Sequence, residues 1–580
     1  IFNSSIKDSN YTISSNEYGG GFAGVTRDAD IKGTLSSIGI ELIRGMQPQS
    51  LDLNCNINNS SVSVSGTNYQ GGFTGAQANS YLINCGIDGS VSVKATGSYV
   101  GGMSGIATVG WVTNLGSKEV KDPSLLKTVN DLLVGLLSTD PEQAGMLLSL
   151  VGIASSAILG CNLNCSSITV EAGKSYAGGV LGGGDGVYLA ESSEEYLKKL
   201  SYWKYGKLET SVVVQRDNNV SGLKTVTAGE NRAGGIVGSV TTASITGLLN
   251  NTLGIGQFLG FTVRNLVVNG DYTVYAKGNY AGGAIGEAVG GNIDKITLNG
   301  LNSVVANNRA GGFVGCAGPG DLAGVGGLTL NLLGLNNLLQ AKNLLSIADG
   351  VRVKINDVHV NGKSNKDLTK GLAVKAIGSS GENEAIDYVA GGFIGKSNSC
   401  EITNSDVTNL EQVIANNIKG FAGGFIGTSR TGGLADVVDD TTVGSFKDKD
   451  SGLINIDRLL GAVTYLVPSY KNCKVTYVNN GGVSADTAGG FVGELQSGSV
   501  NNEVLAEGYS VYNLEHVNGR SYAGGFGGNV YSGALADAGK GISVLGSLSG
   551  LNINISQLIK LINFYVPNIY YAAFKSFSNF

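Results

Sequence analysis

Gly71–Val93 reads GGFTGAQANSYLINCGIDGSVSV. Its opening phrase, Gly-Gly, an apolar residue, any residue, Gly, occurs eleven times along the 580 residues. The apolar position falls at Phe22, Phe73, Met103, Val180, Ile236, Ala284, Phe313, Phe393, Phe425, Phe491 and Phe526. Nine residues after each stands an aliphatic side chain: Ile31, Leu82, Val112, Leu189, Ile245, Ile293, Leu322, Ile402, Leu434, Val500 and Leu535. One structural unit has been copied, and the chain is a repeat array.

The shortest spacings are 29, 30, 32 and 35 residues (Ala284 to Phe313, Phe73 to Met103, Phe393 to Phe425, Phe491 to Phe526). A helical repeat of that length needs apolar stripes of period 3.6. The common stretches carry alternation instead, as in Ser61-Val62-Ser63-Val64 and Ser90-Val91-Ser92-Val93, which is a strand with one buried face. Three short strands with tight corners fill such a length, so the expected fold is all-β with helical insertions: a right-handed parallel β-helix of about eleven coils, roughly 50 Å long at about 4.8 Å per coil. The last motif glycine is expected at a corner that needs open φ/ψ space. The Gly-Gly pair is expected to admit a neighbouring backbone or to bulge the strand. An odd offset of nine puts both apolar residues in one core only if a corner lies between them.

Like residues should stack above like. Four residues before the apolar position stand Tyr18, Tyr69, Tyr99, Tyr176, Tyr280, Phe421 and Tyr522, with Arg232, Arg309, Val389 and Thr487 in the other copies. This reads as an aromatic ladder, either a structural stack or a ligand platform. Cys55, Cys85, Cys161 and Cys473, each two residues before an aliphatic, read as inward-facing small fillers. The coil rise leaves room for a bridge such as Cys55 to Cys85. Cys161 and Cys165 lack the second pair or histidine of a zinc site.

The stretches GGFTGAQANSYLINCGIDGSVSV and GGFIGKSNSCEITNSDV (391–407) resemble the GLUG-type repeats of bacterial extracellular proteins. The resemblance covers the repeat core and stops at the insertions. It implies a β-solenoid stalk or adhesive surface on a secreted or cell-surface protein, and it transfers no catalytic residue.

Composition agrees with a non-globular array: 91 Gly, 6 Pro and only 14% charged residues, without the period of collagen. The net charge of −6 is dispersed, so nothing marks a nucleic-acid surface. Mean hydropathy is +0.11, which fits a long core plus apolar surfaces that meet something. No targeting peptide is visible, and an open coil would need a cap, so the sequence reads as a piece of a longer polypeptide.

The repeat array is expected over 1–540, with helical inserts at about 118–160, 186–207, 247–260, 325–349 and 452–470, and an apolar segment at 541–580 packing on the solenoid or a partner. Asp122-Pro123 and Thr139-Asp140-Pro141-Glu142 open a helical hairpin running to about Leu159. Several Leu-rich inserts begin alike: GLNN at 334–337, GLIN at 452–455, GLNI at 550–553. None is an uninterrupted membrane-spanning run. They read either as a second layer packed on the outside of the solenoid or as a layer part of which buries against another subunit. Tyr196, Tyr202, Trp203 and Tyr205, beside Glu194-Glu195 and Lys198-Lys199, are candidate contact residues for glycan or protein, or one face of a solvated helix.

Catalysis is not expected. The two histidines, His359 and His516, lie far apart in sequence. Arg27, Asp28 and Asp30, and Asp436, Asp439 and Asp440, are isolated charges that no neighbouring rung repeats. Gly182-Gly183-Gly184-Asp185-Gly186 resembles one unit of a calcium-binding nonapeptide repeat; without tandem copies it reads as a turn. No Thr-x-Thr ladder marks an ice-binding face. The expectation is a non-enzymatic, cofactor-free and metal-free structural component of a bacterial extracellular fibre, tube or stalk whose main partner is itself. An adhesin for glycan or host protein is the alternative, and a polysaccharide-active β-helix enzyme the next.

Overall fold

The structure, a computed structural model, describes residues 1–27, 50–108, 156–193, 214–241, 260–318, 352–378, 387–430, 468–496, 498–502 and 509–531. Among these every regular element is a strand, and every strand pairing is parallel, as between Gly86–Ala95 and Asn162–Ala172. The chain is a parallel β-solenoid. One sheet holds eleven strands, one after each motif, and a thirty-stranded sheet wraps the other sides.

One turn shows how the residues make a coil. Thr74–Ala78 runs in the eleven-stranded sheet and turns at Asn79 (φ 48°). Ser80–Ile83 follows and turns at Asn84 (φ 53°). Gly86–Ala95 then runs with alternate residues buried and turns at Tyr99 (φ 68°). Left-handed corners suit Asn and Gly, whose small or self-bonding side chains tolerate positive φ. The second corner repeats as Asn54, Asn84, Gly160, Asn404 and Asn472 (φ 50° to 59°), each followed by a small inward residue, Cys55, Cys85, Cys161, Ser405 or Cys473. Asn404 and Asn472 also bond along the ladder, Nδ2 of Asn472 donating to Oδ1 of Asn404 at 2.9 Å.

Two expectations are corrected here. The last motif glycine is not a corner. Gly75, Gly105 and Gly182 lie within strands at negative φ, and a Cβ on any of them would stand under 3.0 Å from backbone of an adjacent segment. In four copies the corner is instead at the residue four before the apolar position, Tyr69, Tyr99, Tyr176 and Arg232 (φ 53° to 68°). The offset of nine holds only where the chain turns at once: Leu82, Leu189, Ile293, Ile402 and Val500 all pack in or on the main core. Register gives the same position after the other insertions to Asp52, Ile158, Val263, Ile355 and Tyr470. Ile31, Val112, Ile245, Leu322, Leu434 and Leu535 lie outside the described residues.

That difference follows a rule. After the second, fourth, sixth, eighth and tenth motif strands the chain turns within about two residues, at Asn79, Gly186, Gly290, Ser399 and Gly498, all at positive φ. After the first, third, fifth, seventh and ninth strands come 28–49, 109–155, 242–259, 319–351 and 431–467, and 532–580 follows the eleventh. At this corner long segments follow alternate motif strands, whereas 194–213, 379–386 and 503–508 interrupt the coils at other corners. Two coils span about 9.6 Å, close to the spacing of packed helices or sheets, whereas one coil of about 4.8 Å leaves room for a single strand. The expected insert boundaries are also trimmed: Ala157–Leu159, Tyr188–Ala190 and Ser469–Lys471 are solenoid strands. No helix of the described residues is long and apolar enough to cross a membrane.

The motif residue is the spine of the core. Phe313, Phe393, Phe425, Phe491 and Phe526 stack with ring centroids 5.1, 4.6, 5.1 and 4.9 Å apart, and Phe22 stacks on Phe73 at 4.7 Å. Phe393 is fully buried. Replacing it by Ala removes a ring stacked on both sides and is expected to cost about 3–5 kcal/mol. Gly392→Ala is expected to cost more than about 4 kcal/mol, because its Cβ would fall under 3.0 Å from the Gly424 carbonyl oxygen. Denaturant unfolding of the two variants checks both.

Candidate functional site

The sequence pointed to three surfaces: the aromatic ladder, the charged and cysteine-bearing positions, and the insertion loops. The ladder forms. Tyr18, Tyr69, Tyr99 and Tyr176 stack at 5.1, 5.2 and 4.4 Å with interplanar angles of 16°, 15° and 4°. Arg232 continues the row as a plane rather than breaking it. Its guanidinium lies 5.1 Å from the Tyr176 ring and 5.4 Å from the Tyr280 ring. Arg309 then sits 5.2 Å from the other side of the sequence of rungs at Tyr280 and donates from Nη1 to the Tyr280 hydroxyl at 2.9 Å. A guanidinium stacks on a ring because its weakly hydrated face meets the negative π cloud.

Two arginines beside the ladder rings pair with carboxylates of the protein. Arg232 pairs in two-pronged fashion with Glu287, which also accepts from the Ser239 hydroxyl at 2.9 Å. Arg430 lies 5.8 Å from the Phe421 ring, donates from Nε to Glu494 at 2.9 Å and pairs with Asp387 at 3.0 Å. Glu287 and Glu494 stand at register-equivalent positions of the eleven-stranded sheet, the first beneath Arg232 and the second beside Arg430. A sugar-binding platform needs open ring faces, and here the interior faces are spent on neighbouring rungs. At the two ends of the row, Tyr18 is 43% and Tyr522 56% exposed.

The seven cysteines are free thiols, six of them buried and Cys316 partly so. Cys55, Cys85 and Cys161 form the expected inward ladder, and burial pushes the Cys165, Cys400 and Cys473 thiols up to about 12. Cys55 and Cys85 are both free, and their thiols donate to backbone carbonyls, Cys55 to Leu53 at 3.5 Å and Cys85 to Asp52 at 3.3 Å. His359 lies on the surface between two carboxylates, Asp406 at 3.2 Å from Nδ1 and Asp357 at 3.2 Å from Nε2. The Asp406 bond comes first in raising its pKa. His516 is exposed at the start of strand His516–Gly524. Gly182–Asp185 is strand and Gly186 a tight corner (φ 57°). Asp185 accepts from the Thr241 hydroxyl at 2.6 Å, and burial raises its pKa. Among the described residues no group of three or more His, Cys, Asp or Glu could hold a metal ion.

Arg27 is exposed at the end of its strand. Asp28, Asp30, Asp436, Asp439 and Asp440, and the contact candidates Tyr196, Tyr202, Trp203 and Tyr205, lie outside the described residues. The offset of four from the motif places Arg232 and Arg309 in the ladder, and the structure seats both against its rings.

Two measurements follow. A thiol reagent should label no more than about one cysteine of the folded protein and all seven after unfolding. The imidazole of His359 should titrate above the usual value of about 6.5. Because the folded pKa is raised, its pairing with Asp406 and Asp357 stabilises fully below about pH 6.5 and is lost as pH rises through the folded pKa. His359→Gln should flatten that slope, as read by thermal melts between about pH 5 and 8. Compared with known proteins, the chain matches no family model, no curated protein and no solved structure.

Proposed function

We propose that this protein is a non-enzymatic structural component of an extracellular or cell-surface bacterial assembly, a fibre, tube or stalk built from copies of the chain. The observation that carries the reading is the placement of the insertions. At the corner after the motif strand, long and largely apolar sequence follows every second coil. Such an arrangement offers a regular lateral contact edge, and repeated heterologous contacts between elongated subunits give filaments. The resemblance of the motif to GLUG-type repeats of bacterial extracellular proteins agrees with this setting.

The ladder and the buried charges serve the rod itself in this reading. Arg232, Glu287, Arg430 and Glu494 are neutralised in place, so they are not poised to protonate or attack a substrate. An adhesin would keep the same scaffold but bind through its loops as single rods.

Negative-stain electron microscopy of the purified chain, paired with light scattering, tests the proposal. Regular filaments or tubes of many-chain mass are the expected result. Isolated rods of single-chain mass at every concentration would overturn it and favour an adhesin, to be sought with glycan and host-protein binding.

A further inference from the structure

Two columns of inward-facing residues meet across the corner that follows the motif strand. Register runs one column from Thr26 and Gln77 through Ala107 to Ser397 and Ser429. It runs the other from Asp52 through Leu82 and Ile158 to Tyr470. Between these polar stretches both columns carry only aliphatic side chains or glycine. The buried Tyr470 hydroxyl crosses from one column to the other. It shares hydrogen bonds with the hydroxyls of Ser429 on its own coil at 2.6 Å and Ser397 on the coil before at 2.8 Å.

The same two columns set Asp52 against Thr26 of its own coil and Gln77 of the next. There the crossing is not made. Asp52 and Gln77 are each 1% exposed and Thr26 6%. Thr26 Oγ1, Asp52 Oδ2 and both amide atoms of Gln77 have no hydrogen-bond partner. The other Asp52 oxygen lies 3.4 Å from the Ile1 nitrogen. An aspartate is shorter than a tyrosine by most of a ring, so it stops short of the column that Tyr470 reaches. Gln77 is flanked in register by Thr26 on one coil and Ala107 on the other, so its amide is enclosed by the array itself.

We infer that Thr26, Asp52 and Gln77 form a binding site for a buried water molecule that joins two coils through the core. The chemistry of the four atoms selects the ligand. Gln77 Nε2 can only donate, Asp52 Oδ2 and Gln77 Oε1 accept, and the Thr26 hydroxyl does either. A cation would answer the oxygens and leave the amide N–H groups facing a positive charge. An anion would face the carboxylate. Water both donates and accepts, and buried waters typically make about three hydrogen bonds to polar groups of this kind. The site is met in one register only, because a slip of one coil would set an aliphatic side chain or glycine against one of its members. It thus distinguishes these coils from their near-copies, as the Tyr470 crossing does further along.

A crystal structure of the parent chain at a resolution that shows ordered water tests the site directly. Expected is a density peak about 2.7–3.2 Å from the Gln77 amide and from Asp52 Oδ2 or Thr26 Oγ1. The thermal midpoint should not respond to exchange of sodium, potassium or calcium at equal ionic strength, nor to a chelator. Gln77→Met and Thr26→Val should each lower the midpoint. The triple variant Thr26→Val, Asp52→Leu, Gln77→Met should lower it by less than the three single changes added together, because an apolar set needs no water whereas a broken one strands its remaining members. Should Gln77→Met fail to fold, Thr26→Val and the parent density carry the test. Side chains that turn to bond one another with no water between them overturn the inference. So does a midpoint that rises with one particular cation, or strictly additive variants.

Discussion

The rest of the structure depends on how closely one coil's backbone lies on the next at the motif. The carbonyl oxygen of the following coil takes the space a side chain would need, and only glycine leaves that space empty. Once two coils meet there, their register is fixed, and with it the stacking of Phe on Phe, Tyr on Tyr and Asn on Asn. A slip by one residue would drive carbonyl oxygens into side chains and turn the alternating strands inside out. The high glycine content is thus a consequence of packing density between coils rather than of looseness.

On that fixed register the protein places its polar groups in rows. Planar groups pack at the coil spacing whether they are phenols or guanidiniums, so Arg232 and Arg309 enter an aromatic column without interrupting it. Arg232 and Arg430 find carboxylates on the next coil, Glu287 and Glu494. Buried ion pairs of this kind cost heavily if one partner is lost and contribute little net stability beyond that. Their effect is to make each coil specific for its neighbours, which a repeat of near-identical rungs otherwise lacks.

The alternation of tight and insertion-bearing corners joins the fold to the proposed function. A coil that turns at a left-handed Asn, Gly or Ser leaves its corner bare. Its neighbour is followed at that corner by a long segment of sequence.

The sequence by itself determined the repeat, the strand character, the inward residues at the motif, the ladder of rings and the small fillers at the cysteine positions. Each of these is local: it depends on spacing within one coil and on what a residue type can pack against its own copy. The tertiary structure alone decided which glycines face a neighbouring carbonyl, which residue after an insertion fills the core, and that corners lie at Asn79, Asn84 and Tyr99 rather than at the motif glycine. Counting nine residues from Phe73 reaches the core at Leu82. Counting nine from Met103 does not, because 109–155 intervenes and register hands the place to Ile158. Close approach between coils and the skipping of inserted chain are relations between segments distant in sequence, and no local pattern records them.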